Sequence, residues 1–209
     1  MDGEPSSSPA TPVHPRVLVC DLDETLVCTS VDPAYFDYRP PDFTFERVLF
    51  FKRPHVDDML RHAQKLGFHV AVFTAAGSTY ADAVVQGVFA PLGIVPLAVL
   101  SYQHCIERTS FDAQTGRVDR YAVKSLIQLW NHHRIDPASV VLLDDKACSA
   151  LYDPANLYHV APFTGEGGEG AWSSDTALLT FQDVLTFLHS QAHLSTVQAL
   201  QLYRASSAQ

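Results

Sequence analysis

The chain is poor in positive charge, in cysteine and in long apolar runs, and each shortage removes a class of function. Its 14 Lys and Arg stand against 23 Asp and Glu in 209 residues, a formal net charge of −9. A surface of that sign repels phosphate backbones, so neither nucleic acid nor an anionic membrane is expected as the main partner, and any attraction for phosphate must be local. Cysteine occurs at Cys20, Cys28, Cys105 and Cys148 only, with no C-x-x-C pair. That spacing suggests neither a zinc site nor a disulfide framework, and reduced thiols suit the nucleus or the cytoplasm. No apolar run approaches the roughly 18 to 20 residues of a membrane span, and the opening MDGEPSSSPATPVHP lacks the basic and apolar regions of a signal peptide. No membrane span is expected.

What is present reads as one globular unit. A hydrophobic content of 47% is enough for a substantial core. Residues 1–15, rich in Pro and Ser, are expected to be a disordered tail, and residues 16–209 a single domain. VLVC, RVLFF, FHVAVFT, PLAVLSY, SVVLLDD and LYHV read as strands. Between them, Pro54 starts a helix whose apolar positions Val56, Met59, Leu60, Ala63 and Leu66 recur at helical spacing, and Gly67 ends it. STYADAVVQGVFAPLG and KSLIQLWNHH read as further helices, as do DTALLTFQDVLTFLHSQA, with Asp175 as its cap, and STVQALQLYRA. CIERTSFDAQTGRVDRYAV reads as a hairpin turning at Gly116, and TGEGGEGAWSSD as a flexible loop. Strands alternating with helices predict an α/β fold, a mostly parallel sheet flanked by helices.

Directly after the first strand, DLDET places Asp21, Asp23 and Glu24 side by side. Like charges that close are disfavoured unless a cation or a reaction holds them. The pattern is not a calcium loop, because the sixth position, where that motif needs Gly, is Leu26. In a parallel sheet, chemistry collects beyond the carboxyl ends of the strands, where Asp21 and Asp23, Thr74, and Asp144 with Asp145 all fall. If the first strand stays extended, Asp21 and Asp23 point to one side. The four aspartates are then expected to form a carboxylate nest suited to a hard dication such as Mg²⁺.

The motifs DLDETLV, FKRPHVDDML, FTAAGSTYAD, YAVKSL and VVLLDDKA are similar, in order and spacing, to those of haloacid-dehalogenase superfamily phosphatases. The branch they resemble dephosphorylates the RNA polymerase II C-terminal domain. The resemblance implies a Rossmann-like fold with a small β-hairpin insertion and no large cap domain. It also implies Asp21 as the nucleophile, Asp23 as the general acid/base, Thr74 as a phosphate-contacting hydroxyl and Lys124 as the phosphate-orienting ammonium. Mg²⁺ is implied on Asp21, the backbone carbonyl of Asp23, and Asp145, with Asp144 beside them. Thr25, placed on the substrate side, is expected mainly to fix the loop. Where relatives carry His after DETLV this chain has Cys28, and where they carry Ser-Pro after the last Asp pair it has Lys146 and Ala147.

An uncapped site favours a phosphorylated side chain on a protein. The hairpin from Ile106 to Tyr121, with Arg108, Arg117 and Arg120, is the expected specificity element, and phosphoserine before proline the expected substrate. A monomer is expected. Two other readings share the fold: a small-metabolite phosphatase and a catalytically silent phosphopeptide-binding module.

Overall fold

The computed structural model describes residues 15–32, 39–111, 115–166 and 168–207. The predicted disorder of residues 1–15 lies, Pro15 apart, outside that set. Strand β1 (Val17–Cys20) is followed by β2 (Val27–Ser30), β3 (Phe43–Phe45) and β4 (Val48–Lys52). Helix α1 (Val56–Lys65) leads to β5 (His69–Phe73), and α2 (Ser78–Val84) to the two-residue β6 (Val99–Leu100). The hairpin β7 (Ile106–Phe111) and β8 (Val118–Val123) precedes α3 (Ile127–His133), β9 (Val140–Asp144) and β10 (Leu157–His159). Helices α4 (Gly168–Ser174), α5 (Ala177–Ser190) and α6 (Thr196–Ser207) complete the chain.

The main sheet has the order β10-β9-β1-β5-β6 and every pairing in it is parallel. Alternation along the central strand separates two cores. Leu18 and Cys20 join Val70, Val72, Val141 and Leu143 under α1, α2, α5 and α6, whereas Val17 and Val19 join Ala71, Phe73 and Leu142 under Leu126 and Leu129. Each such Leu, Val or Phe contributes roughly 1.5–3 kcal/mol by leaving water. From β1 the chain builds β5 and β6 on one side, then crosses to β9 and β10 on the other. That reversal opens a crevice at the carboxyl ends of β1 and β9.

Helix α1 follows its pattern closely: Val56, Met59, Leu60 and Ala63 are buried, Asp57 and Asp58 occupy the first turn and Lys65 the last. Gly67 ends it at φ 80°, a conformation that costs other residues energy. Helix α6 starts on a reciprocal cap in which Gln198 N–H donates to Ser195 Oγ and Ser195 N–H donates to Gln198 Oε1.

Three expectations change. The helix read across residues 78–93 stops at Val84 and continues as a π-helical turn, Val85–Phe89, and a 3₁₀ turn, Ala90–Leu92. Gly87 lies in that wide turn, where a Cβ would meet the Phe43 ring at 2.5 Å. The strand read in PLAVLSY is only Val99–Leu100, since β6 is an edge paired on one side. The glycine-rich stretch read as a loop contains α4, which Trp172 anchors edge-on to Phe163 (4.8 Å between ring centroids) and Phe51 (6.4 Å). Between β1 and α1 stands a small antiparallel sheet, β2-β4-β3, and the hairpin β7-β8 pairs from Ile106↔Val123 to Phe111↔Val118. Among the described residues no further inserted unit covers the crevice.

Candidate active site

Strand β1 ends at Cys20, and Asp21 N–H donates to Leu143 O across the crevice at 2.9 Å. The chain then turns. Leu26 and Val27 N–H both donate to Leu22 O, and Glu24 takes a positive φ of 60°. Such a conformation costs a non-glycine residue about 1–3 kcal/mol and persists only where its surroundings fix it. Here Phe163 N–H holds Glu24 O at 2.6 Å, and the buried Arg53 donates to Thr25 O at 3.3 Å while pairing with Asp175 at 2.9 Å. Because the strand stops, Asp21 and Asp23 do not continue one extended face, and their carboxylates take different partners.

Asp21 enters a buried nest. Lys124 Nζ lies 2.6 Å from Asp21 Oδ1 and 2.6 Å from Asp144 Oδ2. Asp21, Asp144 and Asp145 each offer a carboxylate oxygen within 4.8 Å of the others. Thr25 Oγ1 accepts from Asp145 N–H at 3.1 Å, and its own proton faces Asp145 Oδ1 (3.3 Å) and Asp21 Oδ2 (3.4 Å). Thr25 is fully buried, which places it inside the nest. Lys146 N–H donates to Asp144 Oδ1 at 2.8 Å, and His159 Nε2 meets Asp145 O at 2.8 Å.

The electrostatics are unbalanced, three carboxylates to one buried ammonium. Burial pushes the Asp145 carboxyl up to about 6, with Lys146 opposing and Asp21 and Asp144 reinforcing. Burial, then the Asp21 charge, also raises Asp144. For Lys124, burial lowers the pKa, but Asp21 and Asp144 outweigh it and the ammonium stays protonated. A surplus of buried oxygen ligands around a single cation fits a hard dication by the chemistry of its donors.

Asp23 stands beside the nest. Tyr80 O–H donates to Asp23 Oδ1, and burial raises the Asp23 carboxyl above the usual range despite that bond. A cavity of about 250 Å³ opens on it, lined by Asp23, Glu24, Cys28, Thr29, Thr164 and Glu166. Thr74, buried at the end of β5, accepts from Ala76 N–H at 3.0 Å, an arrangement that leaves its own proton available to an anion. The Cys105 thiol, 3.7 Å from Thr74 O, is pushed up to about 11, chiefly by burial, which disfavours the thiolate. Lys146 is exposed and lies 3.8 Å from Glu24 and 3.9 Å from Asp145.

The hairpin arginines stand outside this nest. Arg108 lies over the Tyr152 ring and bonds its hydroxyl, Arg117 pairs with Asp119 at 2.5 Å, and Arg120 is exposed opposite Thr109. Two residues of the site carry no individual signal in the sequence. Arg53 becomes conspicuous only once its partner Asp175, 122 positions away, is in place. Tyr80 lies inside a recognised motif, yet nothing local says that its hydroxyl meets Asp23.

Sheet, crevice and nest define a haloacid-dehalogenase-type fold. Residues 16–198 match the sequence profile of the NLI interacting factor-like phosphatases, and the chain belongs to that family. A probable C-terminal domain small phosphatase of Dictyostelium discoideum is 35% identical over 168 residues, 75% of this chain and 48% of the relative. The CTD nuclear envelope phosphatase 1 of Xenopus tropicalis is 29% identical over 204 residues, covering 92% and 75%. A human CTD small phosphatase-like protein is 27% identical over 195 residues, covering 88% and 59%. The chain thus spans about half the length of the Dictyostelium relative. The structure of Fcp1, an essential RNA polymerase II CTD phosphatase, superposes with a TM-score of 0.60 at 17% identity, over 84% of this chain and 62% of that one.

Proposed function

We propose that the protein is a Mg²⁺-dependent phosphoserine/phosphothreonine protein phosphatase working through an aspartyl phosphate. The observation that carries this reading is the buried Lys124 shared by Asp21 and Asp144 beside Asp145, with Asp23, its carboxyl raised by burial, at the rim. Asp21, Asp145 and the backbone carbonyl of Asp23 would hold the metal, with Asp144 alongside. Bound there, Mg²⁺ supplies positive charge against an incoming phosphate.

The chain's own residues do the rest. Asp21 attacks phosphorus; the bond from phosphorus to the serine oxygen breaks, and Asp23 gives its proton to that oxygen as the alcohol leaves. Water then attacks the acyl phosphate, its proton returns to Asp23, and phosphate departs from a regenerated Asp21 carboxylate. Lys124 and the Thr74 hydroxyl hold the phosphoryl oxygens in line. The open crevice supports a protein substrate over a metabolite, and the names of the relatives support a Ser-Pro phosphoprotein such as the RNA polymerase II C-terminal domain. A nuclear or cytoplasmic location follows from such a substrate.

The test is Asp23→Asn with an aryl phosphate. A phenolate leaves without help, whereas hydrolysis of the intermediate needs the base, so rapid quench should give a phenol burst of at most one equivalent and acid-stable, hydroxylamine-sensitive phosphate on Asp21. Label on a serine, histidine or cysteine would refute the mechanism. A sugar phosphate or nucleotide preferred over phosphoserine peptides by kcat/KM would replace the substrate class.

A further inference from the structure

Tyr80 sits where α2 faces the turn after β1: its hydroxyl donates to Asp23 Oδ1, and the Thr29 side chain on β2 is a further polar neighbour of it. Its ring is also held. Phe50 lies 5.3 Å away, Phe50 stacks on Phe43 at 4.6 Å with 11° between planes, and Phe43 closes against Gly87. A phenol clamped in this way cannot swing from its partner without disturbing four elements.

A carboxyl group turns about a soft, roughly two-fold torsion, so nothing intrinsic to Asp23 decides which oxygen it presents. The Tyr80 bond decides it, by occupying Oδ1 and leaving Oδ2 for proton exchange. We propose that Tyr80 is a positioning residue for Asp23, holding its carboxyl so that one oxygen meets the leaving group, with Thr29 fixing the Tyr80 hydroxyl in turn. This rests on the reading of Asp23 as the proton-handling group.

The consequence depends on the leaving group. A serine alkoxide must be protonated as it departs, whereas a phenolate need not be, so a badly aimed Asp23 harms phosphoserine turnover more than the first step on an aryl phosphate. If the Tyr80 ring served only as a wall for substrate, its hydroxyl would be dispensable and ring loss would appear in KM.

Tyr80→Phe keeps the ring and its stack. For a phosphoserine peptide kcat should fall about 10- to 30-fold with KM unchanged within about two-fold, while single-turnover phenol release should fall less than about three-fold. Across phosphate esters of rising leaving-group basicity the loss should grow steadily. Thr29→Val, at an exposed strand position, should give the same graded pattern at about two- to five-fold. An equal loss across the series, a rise in KM alone, or no loss would overturn the proposal; if Tyr80→Phe melts early and loses everything, the Thr29→Val gradient decides. Asp23→Asn, run alongside, separates the two readings. A gradient there without one in Tyr80→Phe and Thr29→Val defeats the Tyr80 proposal only, and no gradient in Asp23→Asn defeats both.

Discussion

The crevice at the end of the parallel sheet and the hairpin that leads into it both carry charge, but in opposite circumstances. Lys124, Asp21, Asp144 and Asp145 are at most 6% exposed, within hydrogen-bond or ion-pair reach of one another and of buried Thr25. Four residues upstream, and on the strand that runs straight into Lys124, Arg120 is exposed; Arg117, just before that strand, has a side chain 74% exposed. One short strand therefore changes from a solvated edge to one that delivers a buried ammonium to the nest. Burial makes charge expensive, so a group kept there must do something that an apolar residue cannot. Exposure makes charge cheap, so the hairpin charges carry no comparable energetic constraint.

The comparison is broken most directly at Asp21. Asp21→Asn removes the proposed nucleophile and should lower aryl phosphate turnover by more than about 1,000-fold. It also removes one of three crowded carboxylates while Lys124 keeps Asp144. The metal-free melting temperature should therefore stay within about 3 °C of the parent, because relief of repulsion offsets the lost ion pair. Turnover and calorimetry together check this. A large loss of stability would mean that the nest is structural.

A smaller effect, in stability and not in turnover, sharpens the same contrast. Burial raises the Asp145 carboxyl from its ordinary 3.8 to about 6. A raised carboxyl favours folding fully below the unfolded value and loses that contribution as pH rises through the folded one. Metal-free protein should therefore lose stability between about pH 4 and 6. A dication in the nest replaces the lost protons, so saturating Mg²⁺ should raise the melting temperature by about 5–10 °C at pH 7.5 and clearly less at pH 5. Equal increments at the two pH values would show the ion binding elsewhere.

The nest was legible in the sequence because each aspartate follows an apolar run that can only be a buried strand, and parallel strands end together. What remained hidden depends on contacts between distant segments. Asp23 turned to Tyr80 because β1 stopped at Cys20, a fact set by the Leu22 carbonyl and the Phe163 amide and not by any propensity of DLDET. The glycine-rich stretch carries every local sign of a loop, yet Trp172 finds Phe51 and Phe163, and α4 forms around that anchor. The hairpin at Gly116, by contrast, is a local structure with φ 69° at its turn, and local chemistry sufficed to place it.

The smallest expected effect belongs to the hairpin. Arg117→Ala and Arg120→Ala remove solvated charges, and exposed pairs such as Arg117–Asp119 are worth at most about 1 kcal/mol, so stability should barely move. Turnover of a small aryl phosphate should stay within about two-fold, since Lys124, Thr74 and the nest are untouched. If the hairpin reads the peptide around the phosphoserine, kcat/KM for a phosphopeptide should fall about three- to ten-fold, carried by KM, with the loss shrinking as salt screens the charges. Arg108→Ala also removes the contact with Tyr152 and should show the largest loss of the three. Deleting residues 109–119 should then exceed any single substitution on peptide while leaving aryl phosphate turnover the less affected. Equal losses on peptide and aryl phosphate would show that the hairpin acts only by seating Lys124, and would move recognition to another part of the rim.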